Sequence, residues 1–446
     1  MISHSKDLKL ILAVALPLMG TFLAQKGMQL IDTIMLSWLG PDALAAGALA
    51  WALFAIIMLF CLGTLSAVGV QIARARGSEQ LDDVHTHLKH GILLALLLSI
   101  PSVLLIWYLP PLLIYVGGDE SVVVKTTQFL RSLVWGFPGF LLFFVFRELV
   151  SAFAMNRIIV LIASLSIPLT FFLNYLLMYG KGGLPKLGIT GIGYAGALVM
   201  WFMCLSLWAY TKIAPNIHQY LMPNTKSHLN WKNILITAKI GIPSGFLFIL
   251  DAGMFSTATL LMSHFGINVL AAHSIAFQCV TIAYAVPFGL SMAVALQVSF
   301  AMGKQDLPRA KIIAMLGLLI GLFLVSIIAA IFIFFPDALI NIFMEKDSAL
   351  DPKMRQFAIL MLIVAAIFQC FDALQAIISG ALRGMKDTLI PMIFCVFCYW
   401  IIGVGCSYYL AFKTQLGPIG IWYGLTIGLF MAGTLLLMRF LSKKLP

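Results

Sequence analysis

The chain has 446 residues, of which 62% are hydrophobic and 10% are charged, and its formal net charge is +11. Soluble domains average about 45–50% apolar and about 25% charged residues, so the composition excludes a soluble enzyme, a nucleic-acid-binding protein and a disordered chain. The excess of Lys and Arg is explained by apolar spans whose cytoplasmic ends face anionic lipid.

Apolar stretches long enough to cross a bilayer, which requires about 20 residues, recur along the whole sequence. Turn signals such as Leu39-Gly-Pro-Asp42 and Gly117-Gly-Asp-Glu120 separate them. We predict an all-α integral membrane protein with twelve transmembrane helices, at 8–38, 43–72, 88–116, 122–153, 157–180, 188–214, 232–265, 269–300, 309–335, 352–382, 387–412 and 417–440.

The basic residues are divided unequally between the two sides of these spans. With a cytoplasmic N-terminus, 18 Lys and Arg residues fall on cytoplasmic segments and helix ends, among them Arg383, and 6 fall on the opposite side. This bias predicts a multi-pass protein of the bacterial inner membrane with both termini cytoplasmic. The seven cysteines all lie in apolar stretches, so no disulfide framework is expected.

The sequence also repeats itself. A shift of 226 residues aligns Pro17 with Pro243 and Gly40 with Gly266 without a gap. Because each half holds an even number of spans, the halves share one topology, which is typical of transporters that bind their substrate between two lobes. The predicted parts are an N-lobe (1–214, helices 1–6), a polar cytoplasmic linker (215–231) and a C-lobe (232–446, helices 7–12).

Four acidic residues lie deep in the predicted spans: Asp32, Glu148, Asp251 and Asp372. A charge at the bilayer centre costs about 2.5–3.5 kcal/mol, so such residues face the protein interior or water and usually carry function. Asp251 and Asp372 are predicted at one level of one lobe. Together they would hold Na⁺ through oxygen ligands or share a proton.

Other polar residues allow more than one interpretation. Arg147 and Glu148 are neighbours on one helix and are not expected to pair with each other, so Glu148 is interpreted as structural or as the partner of another helix. Lys26 shares a helix with Asp32 and is considered as a competing cation. The histidines at 85, 87 and 90 are interpreted as a solvated loop that leads into a helix rather than a metal site.

At these residues the chain resembles the multidrug and toxic compound extrusion (MATE) transporters, and within them the NorM-type branch. The resemblance covers essentially the whole chain. It is carried by four segments: Pro17 with Gly27-Met-Gln-Leu-Ile-Asp32-Thr-Ile-Met, Val269-Leu-Ala-Ala-His273, Cys370-Phe-Asp372-Ala-Leu-Gln, and Gly380-Ala-Leu-Arg383-Gly-Met-Lys386-Asp387.

The resemblance implies two six-helix lobes in a V-shaped arrangement and a set of coupling residues. Asp251 and Asp372 match the acidic positions of the C-lobe cation site, and Asp32 matches the acidic position of the N-lobe. Where the family often has Asn and Asn or Asp on the fifth helix, this chain has Thr170 and Asn174. It also has Gly196 in place of a Thr on the sixth helix, so the oxygen ligands of the N-lobe are depleted.

On the eighth helix, Gln278 stands where NorM-type members often have Asn, and it is a further candidate partner. The candidate Na⁺ ligands are therefore Asp251 and Asp372. Asn174, Thr170, Gln278 and Glu148 are possible partners of the ion or the substrate.

The function implied is secondary active efflux of cationic amphiphilic drugs in exchange for inward Na⁺, by alternating access. The alternatives are H⁺ coupling, a channel without coupled exchange and, more remotely, a lipid-linked precursor flippase of the same superfamily. An intramembrane enzyme lacks its motif, since no HExxH sequence occurs. The expected protein is a monomer in contact with lipid, without a nucleic-acid partner and without a cofactor beyond the coupling ion.

Overall fold

The structure is a computed structural model that describes residues 2–116, 119–221, 231–343 and 352–443. Most of the predicted linker, 222–230, lies outside these ranges. So do three of the basic residues that were counted for the orientation, Lys226, Lys346 and Lys444.

Within the described ranges all regular secondary structure is helical. The first half of the chain forms α1 (Ile2–Ser37), α2 (Pro41–Gly77), α3 (Leu81–Tyr108), α4 (Glu120–Leu133), α5 (Phe137–Ala152), α6 (Arg157–Tyr179), α7 (Ile189–Ile213) and α8 (Pro215–Leu221), with 3₁₀ segments at Pro110–Val116 and Val134–Gly136. The second half forms α9 (Trp231–Ser263), α10 (Ile267–Ala283), α11 (Ala285–Gly303), α12 (Leu307–Phe334), α13 (Pro336–Ile342), α14 (Pro352–Gly384), α15 (Leu389–Val396), α16 (Val404–Phe412) and α17 (Ile419–Ser442), with a π-helical segment at Phe397–Gly403 between α15 and α16.

Twelve helical segments are long and apolar enough to cross a membrane, which confirms the predicted number and makes the chain a multi-pass membrane protein. Two of these spans are interrupted near a proline. Pro138 follows the 3₁₀ turn between α4 and α5, and Pro287 lies in the first turn of α11, just after the junction at Tyr284. Proline has no N–H to donate and is tolerated in the first turn of a helix, so a new helix can begin at each of these points.

The prediction of a solvated loop around the histidines is wrong. Helix α3 begins at Leu81, several residues before the predicted start of the span, and so includes all three. His85 and His90 are 7% and 1% exposed. Among the described residues, no three His, Cys, Asp or Glu side chains are grouped so that they could hold a metal ion. All seven cysteines are free.

The chain divides into two compact units, called here the N unit (residues 20–245) and the C unit (residues 1–19 and 246–446). Helix α1 divides after Met19 and α9 divides after Gly245, each two residues beyond the repeat-related Pro17 or Pro243. The units therefore differ from the predicted lobes at two places. The first half of α1 belongs to the C unit, and the first half of α9 belongs to the N unit. That the N-lobe and the C-lobe act as separate parts of a transporter stays a prediction.

The backbone repeats as the sequence does. Gly40 and Gly266, which are 226 residues apart, both have positive φ, at 107° and 94°. Glu79 and Gln305, separated by the same 226 residues, have φ values of 59° and 58° where α2 and α11 end. Non-glycine residues rarely adopt positive φ, so the matching turns show that the two halves repeat one backbone.

In the N unit, α2 packs against α3, α4 and α5, and α7 packs against α4, α5 and α6. Aromatic rings fill the interior: Phe54 is fully buried between Trp51 and Phe137 in edge-to-face contacts at 5.5 and 5.4 Å. Gly69 on α2 lies directly against Glu148 on α5, where a Cβ atom would overlap the carboxylate. Because Gly69 has no side chain, the Glu148 carboxylate can occupy this space.

In the C unit, α14 is the central helix and packs against α10, α11, α12 and α17. Gly380 and Gly384 allow the close approach of α11, because a Cβ at either position would overlap the carbonyl oxygen of Ser291 or Ala295. The Ser291 hydroxyl donates to the Ala376 carbonyl at 2.7 Å, which fixes the two helices in register. This contact brings α11 side chains beside the polar face of α14.

Candidate cation sites in the two units

The acid of the N unit is paired with an amide. Asp32 on α1 is 5% exposed, and Asn174 Nδ2 on α6 donates to its Oδ1 at 2.7 Å. Thr170, one turn before Asn174 on the same face of α6, donates its hydroxyl to the Ser166 carbonyl. The Asn174 Oδ1 atom is buried and has no hydrogen-bond partner among the described residues. The N-unit site is thus one carboxylate held by one amide.

A second buried acid of this unit forms an ion pair. Arg147 Nη2 lies 3.1 Å from Glu148 Oε1, and both side chains are at most 4% exposed. The prediction that these neighbours do not pair is wrong, because the flexible arginine side chain overcomes their divergent Cβ directions. The Arg147 guanidinium packs on the Phe144 ring, one turn earlier on α5, with its Cζ 3.9 Å from the ring centre. From this position it contacts Glu148.

The acids of the C unit lie near each other. Asp372 on α14 is 3% exposed, and it interacts electrostatically with Asp251 on α9. Asp251 is partly buried as a residue, but its Oδ1 atom is fully buried. Neither Asp251 Oδ1 nor Asp372 Oδ1 has a hydrogen-bond partner among the described residues. Two carboxylates with unsatisfied oxygens thus face one region of the interior.

A small cavity lies beside Asp251. Its polar lining comes from Asp251, Tyr284, Ser291, Gln375 and Arg383, together with Ser379. Its apolar lining comes from Leu247, Phe248, Phe288, Met292 and Ala376. Tyr284, at the junction of α10 and α11, interacts electrostatically with both carboxylates and with Arg383. The cavity therefore combines acidic, basic and neutral oxygen-bearing groups.

Comparison with known proteins places the chain in a family. The sequence profile of the MatE family matches residues 17–176 and 243–409, which together cover most of the chain. The chain belongs to the MATE family. It is 34% identical to the probable multidrug resistance protein NorM of Pseudomonas aeruginosa, over 97% of this chain and 89% of that protein. It is 31% identical to the protein of the same name from Synechocystis, over 96% of this chain and 93% of that protein.

Solved structures support the fold. The eukaryotic MATE transporter AtDTX14 superposes with a TM-score of 0.87 at 21% identity, covering 99% of this chain and 97% of that one. An outward-facing multidrug resistance MATE family transporter of the MOP superfamily gives 0.87 at 20% identity, covering 98% and 96%. This MATE chain, of the NorM-type branch, is a transporter and not an enzyme.

Arg383 of this MATE chain lies in the last turn of α14, at a helix end as predicted, but it is buried rather than exposed. It is 4% exposed and lines the same cavity as Asp251. Its Nη2 lies 3.4 Å from Ser291 Oγ and 3.5 Å from Met292 Sδ. The span continues to Gly384, so the guanidinium remains within the helix packing. A basic residue at the predicted end of a span can be buried or solvated, and the sequence does not distinguish the two.

The polar partner named on the eighth span is not at the cavity. Gln278 is exposed and is absent from the lining. The amide in the lining is that of Gln375, which is buried and follows Asp372 by three residues on α14. That spacing puts both side chains on one helix face and could have identified Gln375. Tyr284 carried no such signal, because its position depends on the helix break before Pro287.

Lys26 lies over the Phe22 ring at 5.8 Å, one turn earlier on α1. Within the described residues no ion pair joins Lys26 to Asp32, so the structure gives no contact through which it would compete there.

An aromatic cluster lies one helical turn from the acid pair, toward the C-terminal end of α9. Phe255 follows Asp251 by four residues and contacts Phe368, which precedes Asp372 by four residues, at 5.6 Å between ring centres. Trp422 packs on Phe368, also at 5.6 Å, and on His273. Thr259, four residues after Phe255 on α9, is in hydrogen-bond contact with His273 Nε2 at 3.0 Å.

The geometry suits a small hard cation or a proton. Carboxylate and amide carbonyl oxygens are the ligands that hard cations prefer, and two nearby carboxylates disfavour double ionisation. The lining therefore fits a small cation or a proton.

Proposed function

We propose that this transporter exports cationic amphiphilic drugs in exchange for inward Na⁺, with H⁺ as the alternative coupling ion. The observation that carries the proposal is the acid pair Asp251 and Asp372, each of which has one buried oxygen, Oδ1, without a hydrogen-bond partner in the described chain. The relative from Pseudomonas aeruginosa, a probable multidrug resistance protein, supports multidrug export as the transport task.

The proposed mechanism is competition for negative charge. An ion that enters from outside neutralises the acids of the C unit and favours the arrangement that releases the drug. When the ion leaves toward the cytoplasm, the negative charge attracts a cationic drug. Exchange requires the two ligands to prefer different arrangements of the transporter, because a ligand with equal affinity for both shifts nothing.

Na⁺ is the first candidate because neutral oxygen donors accompany the acids in the C unit. Tyr284 and Gln375 line the cavity with Asp251, and their oxygens could complete the coordination of a monovalent cation. The N unit favours a proton. Asn174 presents an N–H group to Asp32 rather than its oxygen, which is a poor arrangement for a metal cation.

We further propose a bacterial inner-membrane location with both termini cytoplasmic, a monomeric protein and direct contact with lipid. The excess of basic residues on the predicted cytoplasmic side supports this orientation. Many large apolar side chains on the outside of the helices, among them Leu104 and Phe323, are suited to lipid contact.

The test is drug efflux from proteoliposomes with either a Na⁺ gradient at uniform pH or a pH gradient without Na⁺. We expect Na⁺-driven efflux, and we expect the double variant D251N/D372N to lose it. The control D42N/D337N removes two acids that form exposed ion pairs with Lys125 and Arg355, and it should transport normally. Efflux driven by the pH gradient alone would select the alternative ion. Intact gradient-driven efflux in D251N/D372N would overturn the proposal.

A further inference from the structure

We propose that Gln369 and Tyr399 supply neutral oxygen ligands to the cation held by Asp251 and Asp372. The identity of the ion rests on the proposed function, whereas the ligand role concerns binding alone and is tested without transport. Neither residue lines the cavity beside Asp251. The proposal therefore extends the ion's ligands from the cavity lining to the buried face of α14 that carries Asp372.

Gln369 is the neighbour of Asp372 on α14. It precedes Asp372 by three residues, a spacing that leaves about 5–6 Å between the two Cβ atoms on a helix surface. Gln369 is 4% exposed, and neither its Oε1 nor its Nε2 has a hydrogen-bond partner among the described residues. Gln375 differs, because its Nε2 donates to Cys395 Sγ at 3.9 Å. Buried amides normally find partners, so the amide oxygen of Gln369 is available to a bound ion.

Tyr399 brings a second oxygen to the same acids. Its side chain is fully buried, and its hydroxyl has no oxygen or nitrogen partner within the described part of the chain. The Cys395 thiol, one turn earlier, interacts with it but is only a weak hydrogen-bonding group. Tyr399 also interacts electrostatically with Asp251 and with Asp372. A phenol oxygen accepts through its lone pairs as a water oxygen does, so it can face a cation.

A local change in the helix positions Tyr399. The residue lies in the π-helical segment Phe397–Gly403, and such segments are rare and frequently found at functional sites. The next residue, Trp400, packs on Gly253 of α9, where a Cβ atom would lie only 2.9 Å from the indole ring. Gly253 follows Asp251 by two residues. The segment that carries Tyr399 is therefore fixed against the helix that carries this acid.

Neutral oxygens suit the needs of a metal cation in the protein interior. Hard cations are surrounded by about six oxygens, whereas two carboxylates offer at most four. A further acid would add a charge to a poorly solvated region, which is costly. The amide of Gln369 and the hydroxyl of Tyr399 add ligands without adding charge. The two acids attract the ion, and the neutral oxygens complete its coordination.

A purely structural role makes the opposite prediction for stability. If Gln369 and Tyr399 stabilised the fold without an ion, replacing them by apolar residues would destabilise the protein with or without Na⁺. As ion ligands, they leave buried polar atoms without hydrogen bonds in the ion-free protein, which costs free energy. Replacing them by residues of similar shape, Gln369→Leu and Tyr399→Phe, should therefore leave the ion-free protein at least as stable as the wild type.

The experiment measures Na⁺ binding and thermal unfolding of the purified full-length protein at constant ionic strength. Loss of even an outer-shell partner of a bound metal costs about 10- to 100-fold in affinity, so we expect Q369L and Y399F each to bind Na⁺ at least roughly tenfold more weakly. Na⁺ should raise the unfolding temperature of the wild type, because a ligand of the folded state stabilises that state. It should leave the unfolding temperature of Q369L/Y399F unchanged.

The control Q278L/Y408F removes the same two groups at exposed positions of the C unit, and it should bind Na⁺ as the wild type does. Wild-type Na⁺ affinity in Q369L/Y399F would overturn the proposal, and so would the absence of Na⁺ binding by the wild type. An unfolding temperature of Q369L/Y399F below that of the wild type without Na⁺ would assign the two residues a structural role and overturn it too. Efflux is measured separately: a wild type that binds Na⁺ without Na⁺-driven efflux refutes the proposed function and leaves the ligand role intact.

Discussion

The two units of this transporter share a repeated backbone but arrange their buried charges in opposite ways. In the N unit the charges are separated: Asp32 is held by Asn174, and Glu148 is neutralised by Arg147. In the C unit Asp251 and Arg383 line one cavity, and Asp372 interacts electrostatically with Asp251. The fold therefore does not determine where charge is placed.

The alignment of the repeats agrees with this difference. With the shift of 226, Asp32 corresponds to Ala258, and Asp251 corresponds to Gln25. Each unit has thus placed its acid where the other has a neutral residue. We interpret the C unit as the site of ion exchange, since its acids have unsatisfied oxygens. The Arg–Glu pair of the N unit is interpreted as structural.

The largest effect is expected from removing the C-unit acids. In D251N/D372N, gradient-driven efflux should fall to the rate of empty liposomes, because no buried negative charge remains there to attract an ion. In D32N, which removes the charge that interacts with Asn174, the efflux rate should fall by roughly tenfold, corresponding to about 1.4 kcal/mol. Initial rates in proteoliposomes measure both. Equal rates in the two variants would remove the functional distinction between the units.

Breaking the Arg147–Glu148 pair should affect stability rather than transport. The variant E148Q leaves a buried guanidinium without its charge partner, which costs about 3–5 kcal/mol. The double variant R147M/E148L should recover most of this loss, and D42N, which breaks an exposed pair, should lose less than about 1 kcal/mol. Unfolding in detergent measures all three. Wild-type stability in E148Q would show that the pair is not structural.

The amide of the N unit offers a smaller change. The variant N174L removes the N–H that donates to Asp32 and leaves that carboxylate buried without it. Hydrogen bonds to charged groups contribute about 1.5–3 kcal/mol, so we expect Asp32 to become protonated more readily and efflux to become more dependent on pH. T170V, which removes a hydroxyl that donates to its own helix, is the matched control. Identical pH profiles in the two variants would contradict this role for Asn174.

The close contact of α11 and α14 in the C unit can be probed with one methyl group. In G380A the added Cβ overlaps the Ser291 carbonyl, and we expect a loss of about 1–3 kcal/mol from overpacking. In G405A the added Cβ meets no atom within 4 Å, so this control should be neutral or slightly stabilising. Thermal unfolding compares them. Equal stability would mean that the helices are less tightly packed than the structure shows.

The smallest effect concerns Asp387, outside the spans. Burial raises the pKa of its carboxyl, but hydrogen bonds from Arg439 and Lys443 at 2.7–3.0 Å outweigh burial, and the pKa lies below its usual value. The stabilisation of the folded state by ionised Asp387 is therefore present above the unfolded pKa of about 3.9, and it is lost as pH falls through the lower folded pKa. Because the two basic partners are partly exposed to water, which screens their charges, D387N should cost only about 0.5–1 kcal/mol at pH 7. The difference from wild type should shrink toward pH 3.

The fold was largely predictable because span length, turn residues and the repeat are properties of the local sequence. The twelve spans and the positions of Asp32, Asp251 and Asp372 as interior acids needed only hydropathy and spacing. The sequence could not show that the helix at His85 begins early or that Arg383 is buried, because both depend on packing against other helices. The Arg147–Glu148 pair was missed for a related reason, since Cβ directions ignore the reach of a long side chain.

The most direct test of the account is the binding of radioactive sodium to the purified transporter at equilibrium. We predict that the wild type and D32N bind Na⁺ with similar affinity and that D251N/D372N does not bind it, because the ion site lies in the C unit. Na⁺ binding that is lost in D32N and retained in D251N/D372N would contradict this assignment.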